Sequence, residues 1–212
     1  VRDSFMSGVS AMKKCGWRYD LESPRLHANA VAFKLNRPYA APAEIDHRGW
    51  LRVEDQKQIG SCSGHSISTC LEVCNWIDTR GGEVQLSRMF CYLTAQRVDG
   101  LIGQDNGATI YGSVEGAKRY GCCQEELFPY TGRYETAIPK AATDEAEHHR
   151  LRQYSVLKSY DECFEFLASG VGAITIGIMI KGPATERLNI LRVSIGAANT
   201  MAKVARSEER RV

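Results

Sequence analysis

The chain has 212 residues, 27 Lys and Arg against 25 Asp and Glu, and a formal net charge of +2. That length suits one domain or two small ones and allows a sizeable buried core. The near balance of charge gives no reason to expect a nucleic-acid or membrane-surface partner, and no apolar run of about 18 residues is present to cross a bilayer as a helix.

The start, Val1-Arg2-Asp3-Ser4-Phe5, lacks a basic end followed by an apolar stretch, so a cytoplasmic location is the default expectation. Residues 1–45 read as an N-terminal lead-in containing Gly16-Trp17-Arg18-Tyr19-Asp20. Pro38 and Pro42 mark an extended approach without helix, since each proline also restricts the residue before it. Residues 46–135 form the helical part. Its first helix is expected over Ser63–Ile77, opened by Cys62, with Ile67, Cys70, Leu71, Cys74 and Ile77 turned inward and Gly81-Gly82 as the stop. Ser87 is the expected N-cap of a second helix carrying Met89, Tyr92, Leu93 and Val98. A polar loop follows over 99–108. Thr109 then caps a third helix with Ile110, Val114, Ala117 and Tyr120 on its buried side, closed by Gly121.

Residues 136–180 read as the start of a β-rich part. Within the polar stretch 131–153 some helix is expected, then a strand over Tyr154–Ser159. Asp161 is the expected cap of a short helix, Glu162–Ala168, ended by Gly170. Ile174, Ile176, Ile178 and Ile180 alternate with Ala173, Thr175, Gly177 and Met179, the pattern of a strand with one apolar face. The tail 181–212 has seven basic and three acidic residues, with Leu188, Leu191 and Val193 at amphipathic spacing. The eight cysteines include no Cys-x-x-Cys pair, so no zinc site is expected, and most should be thiols.

Cys62 carries the chemistry. A cysteine at a helix N-terminus sits at the positive end of the helix dipole, which favours the thiolate, and the thiolate is the nucleophile. Gln56, six residues earlier, can turn its side-chain amide toward an oxyanion formed at a carbonyl attacked by Cys62. Gly60 keeps the approach open. Gln56, Gly60, Ser61 and Cys62 together resemble the active-site motif of papain-like cysteine peptidases. Ser63 and Gly64, small residues after the cysteine, are similar to the bacterial branch; Ile59 stands where secreted members carry a half-cystine. Further likenesses are Gly16-Trp17 with Asp20, Asp46-His47-Arg48-Gly49-Trp50, Leu86-Ser87, Asn106-Gly107-Ala108, and Tyr120-Gly121 followed by Phe128-Pro129-Tyr130.

The resemblance implies an α+β fold with a helical first half and a β-rich second half. It implies hydrolysis of a peptide or protein substrate through an acyl-enzyme, with Cys62 and Gln56 catalytic and no cofactor or metal. It assigns Asn106, Gly107 and Ala108 to an extended substrate, with the Ala108 methyl narrowing the approach. It also requires a His and an Asn after the long strand, and here the pattern breaks: no His follows His149. The chain resembles such an enzyme truncated before its general base, with the tail read out of frame or recombined. His65 is expected to be a core histidine, His148 and His149 solvated, and His27 and His47 no better placed. A non-catalytic peptide-binding module is the alternative the missing His favours. An amidase or transglutaminase scaffold accounts poorly for Phe128-Pro129-Tyr130.

Overall fold

A computed structural model describes residues 16–20, 23–34 and 52–177, and the backbone of 200–202. The centre of the fold is three helices: α2 (Cys62–Thr79), α3 (Arg88–Asp99) and α4 (Ile110–Tyr120). α3 lies between the other two, and every residue from Arg88 to Gln96 is buried. Two glycines let the helices meet with their backbones close together. A methyl on Gly64 of α2 would lie 2.7 Å from the Arg88 carbonyl, and one on Gly116 of α4 would lie 2.9 Å from the Ala95 amide.

The helix boundaries follow from local chemistry. Ser87 Oγ accepts from Phe90 N at 3.1 Å, and Thr109 Oγ1 accepts from Gly112 N at 2.8 Å, so both expected caps form. Gly121 closes α4 at positive φ. α2 runs to Thr79, two residues past the expected end at Ile77, and its cap falls one residue before the Gly81-Gly82 pair. Arg80 itself takes the left-handed conformation (φ 57°), and its amide reaches back to Trp76 and Ile77. The Thr79 hydroxyl and Asn75 amide bind the Gly82 backbone and hold this end closed.

The N-terminal stretch is more than a lead-in. β1 (Trp17–Arg18) pairs in parallel with β2 (Ala108–Thr109), and α1 (Pro24–Ala28) buries Leu26 completely. The Asp20 carboxylate accepts from Ile110 N and Tyr111 N at 3.1 and 2.6 Å, covering the open amides of α4. Burial raises the Asp20 pKa, against the lowering effect of those two amides.

Beyond α4 the chain forms α5 (Lys140–Glu145), a short turn of tighter helix (Ala146–His149), β3 (Ser155–Leu157), α6 (Tyr160–Ser169), β4 (Ile174–Thr175) and β5 (Thr200–Ala202). β5 lies between β3 and β4, parallel to both. Two expectations are corrected. The cap of α6 is Ser159, whose Oγ accepts from Glu162 N, while Glu162 reaches back to Lys158 N; Asp161 lies inside the helix. Ser159 and Glu162 have the spacing of a capping box, a signal present in the sequence, with Glu162 taking the Lys158 amide in place of that of Ser159. The isoleucine strand does not present one apolar face. Ala173, Ile174 and Thr175 are all buried, with Thr175 hydrogen-bonded to Ser66 of α2, and Gly177 lies under the Trp17 indole. Ile178 and Ile180, with the tail apart from the 200–202 backbone, lie outside the described residues, as does the 46–50 motif.

Candidate active site

Cys62 is the first residue of the 18-residue helix α2, half-buried between buried Ser61 and Ser63. The first turn of α2 holds no acidic side chain to oppose the positive end of its dipole. Small residues must follow Cys62 because α3 crosses there, so that a side chain on Gly64 would run into Tyr92 and the Arg88 carbonyl.

The turn before Cys62 is tied down from several sides. Ile59 N donates to the Gln56 carbonyl at 3.2 Å, and Gln56 Nε2 donates to the Ile59 carbonyl at 3.0 Å. These two bonds close a turn over residues 56–59 with the Gln56 amide folded onto it, and Cys62 begins α2 three residues further on. Lys57 adopts positive φ (52°), with its amide on Asp55 Oδ1. The Tyr130 hydroxyl donates to the Gln56 carbonyl at 2.8 Å and lies 2.6 Å from Ser61 Oγ. Its own amide donates to Glu125. Phe128-Pro129-Tyr130 thus has a physical role that its spacing alone did not show: Tyr130 braces the turn before Cys62.

The loop 104–108 meets this turn. Asp105 Oδ1 accepts from Gly60 N at 2.9 Å and from the Tyr92 hydroxyl at 2.8 Å. Gly16, Gly60 and Gly107 touch through bare backbone, and a methyl on Gly107 (φ 79°) would overlap the Gly16 carbonyl. The three residues assigned to substrate differ in exposure. Asn106 is exposed, with Nδ2 on Gln104 Oε1 and its carbonyl 3.4 Å from Arg18 Nη1. Gly107 and Ala108 are buried. The Gly107 amide and carbonyl bind Tyr92 and Gln96, and the Ala108 amide donates to Gly16. The Ala108 methyl therefore belongs to the core and does not narrow an approach.

Behind the turn a buried arginine gathers three partly exposed carboxylates. Arg88, 1% exposed, meets Glu54 at 2.8 Å, Glu72 at 3.2 Å and Glu125 at 3.6 Å, and donates to the Leu86 carbonyl. Burial raises the pKa of Glu72 and of Glu125, with Arg88 acting in the opposite direction. Nothing in the sequence spacing pointed to this cluster.

The histidines are placed as follows. His65 sits one turn along α2, with Nδ1 3.0 Å from the Ser61 carbonyl and its ring edge-on to Tyr130 at 4.7 Å. Nδ1 donates to the Ser61 carbonyl, which can only accept, and burial lowers the ring's pKa, in keeping with a packed histidine. His27 and His148 are exposed. His149 departs from the expectation of full solvation: its side chain is 16% exposed and lies 3.3 Å from Glu145. His47 is outside the described residues. The seven described cysteines form no disulfide, and no group of three or more His, Cys, Asp or Glu among the described residues is arranged to hold a metal. No described helix is long and apolar enough to cross a membrane.

No protein-family model and no curated protein matches the chain. Solved structures do. Xylellain, a cysteine protease from Xylella fastidiosa, is similar over 77% of this chain and 67% of its own, at 20% identity and a TM-score of 0.58. Procathepsin L 3 from the larval midgut of Tenebrio molitor matches over 71% of this chain and 50% of its own, at 23% identity and a TM-score of 0.48. A structure concerned with the mite allergens Blo t 1 and Der p 1 matches over 61% and 43%, at 18% identity and a TM-score of 0.46. The chain spans about two thirds of xylellain and half or less of the other two. The likeness to xylellain shows the fold: this is a papain-like α+β chain whose described part is dominated by the helical half.

Proposed function

We propose that the chain carries the nucleophile half of a papain-like cysteine-type peptidase site acting on a peptide or protein substrate. In this reading the Cys62 thiolate attacks a peptide carbonyl. Gln56 Nε2 and the Cys62 amide donate to the oxyanion, the amine leaves, and water hydrolyses the acyl-enzyme. Asn106 is the exposed member of the substrate loop; Gly107 and Ala108 form its floor. The observation that supports this most is Cys62 at the head of a long helix, preceded by the braced turn at 56–59 and by Gly60, whose amide is held by the loop 104–108.

A base must take the thiol proton and return it to the leaving amine. Residues 150–212 hold no His to serve as that base, and the alternative reading is a peptide-binding module that does not cut. Turnover of a peptide ester by the full chain, abolished by Cys62→Ala, supports the peptidase. Peptide binding that survives Cys62→Ala, with no turnover by the parent chain, supports the module. Alkylation of Cys62 by iodoacetamide with the pH midpoint of an ordinary thiol would remove the case for an activated nucleophile.

A further inference from the structure

We infer that Asp105 is a positioning residue that locks the nucleophile turn to the substrate loop; this rests on the peptidase reading above. One carboxylate oxygen, Asp105 Oδ1, takes the Gly60 amide at 2.9 Å and the Tyr92 hydroxyl at 2.8 Å. The same Tyr92 oxygen accepts from the Gly107 amide at 2.9 Å and from Gln96 Nε2 at 3.0 Å. Two adjoining oxygens thus hold one backbone amide from the turn before Cys62 and one from the loop beside Asn106.

The arrangement is built. Tyr92 is fully buried on α3, the most enclosed helix of the fold. Burial and the bond to Asp105 push its phenol far above its ordinary pKa, so it stays a donor. Gly60 lacks a side chain where the two strands of backbone meet: a Cβ there would lie 3.1 Å from Asp105 Oδ1 and 3.5 Å from Gly107 N. Hydrogen bonds to an ionised carboxylate are among the stronger ones in proteins. Gly60 is two residues from Cys62, and a shift of about 1 Å in reacting groups costs on the order of a hundredfold in rate. In this scheme Asp105 acts by fixing where the Gly60 and Gly107 backbone stands.

The test uses a reversible peptide aldehyde on the full chain. The Cys62 sulfur adds to the aldehyde carbon, the C=O π bond opens, and its oxygen takes the thiol proton; nothing leaves and nothing is oxidised. Asp105→Ala should weaken aldehyde binding by about tenfold or more, the scale of a lost charge-assisted hydrogen bond. Iodoacetamide alkylation, which forms no oxyanion and needs no loop, should change by only about twofold to threefold. Asp105→Asn, which keeps an oxygen acceptor for Gly60, should recover most of the binding. Equal aldehyde affinity in Asp105→Ala and the parent chain overturns the inference, as does an Asp105→Asn variant as weak as Asp105→Ala. If the parent chain binds no aldehyde, the peptidase reading fails by itself. The lock is then decided by amide hydrogen exchange: faster exchange at Gly60 and Gly107 in Asp105→Ala sustains it, and unchanged exchange overturns it. Should Asp105→Ala not fold, Tyr92→Phe keeps the ring and removes the hydroxyl; unchanged exchange at Gly107 in that variant also overturns the lock.

Discussion

Replacing Arg88 by Met removes the cation that three carboxylates contact. The guanidinium is almost wholly enclosed, and Glu54, Glu72 and Glu125 all converge on it. Methionine keeps much of the stem, so packing changes little and charge changes most. Removing one partner of a buried ion pair typically costs about 3–5 kcal/mol, because the remaining charge is left without compensation. That is a large part of the roughly 5–15 kcal/mol that holds a domain folded. The loss should depend on pH, with a sign that can be worked out. Glu72 and Glu125 have folded-state pKa values above the ordinary carboxyl value, mainly through burial. Between the unfolded and folded values the folded state binds more protons than the unfolded, so these groups make the protein less stable as pH rises through that window. Without Arg88 their pKa values rise further and the window widens. His65 acts in the same direction on the difference, because Arg88 helps to lower its pKa and its removal relaxes that shift. Urea unfolding followed by tryptophan fluorescence at pH 7 and pH 5 should therefore show Arg88→Met losing about 3 kcal/mol or more at pH 7. The loss should be clearly smaller at pH 5. A loss below about 1 kcal/mol, or one that is equal or larger at pH 5, would refute the assignment of Arg88 as the charge that holds this cluster.

Tyr130→Phe keeps the ring against His65 but strips the hydroxyl from the Gln56 carbonyl and Ser61 Oγ. Loss of stability by about 1–2 kcal/mol is expected in urea titration, and an unmoved midpoint would deny Tyr130 its bracing role. Gly107→Ala puts a methyl into the Gly16 carbonyl at a positive φ, so thermal unfolding should fall by an amount equivalent to about 1 kcal/mol or more; a rise would contradict the backbone contact. His65 should titrate below the ordinary imidazole value by NMR. Since its folded pKa is depressed, the unfolded state binds more protons between the two values, and its contribution to stability is present above the unfolded value and lost as pH falls through the window. A midpoint at or above the ordinary value would count against a buried neutral ring.

Features confined to one or two turns of chain were legible in the amino-acid order. Cys62 at a helix start, the caps Ser87 and Thr109, the closing Gly121, and the inward faces of α2 and α4 all rest on contacts within about four residues, which composition and spacing encode directly. Even there, Ser159 and Asp161 are both residue types that cap helices, and the Ser159-x-x-Glu162 spacing is what marks Ser159 as the cap. The relation of the turn at Cys62 to everything around it was decided by packing. Asp105 finds Gly60 across 45 residues, Tyr130 finds Gln56 across 74, and Asp20 covers the head of α4 across 90. Arg88 is enclosed by carboxylates from three separate segments. Such bonds depend on which backbone atoms burial leaves needing a partner, and that need exists only once the helices have closed around one another.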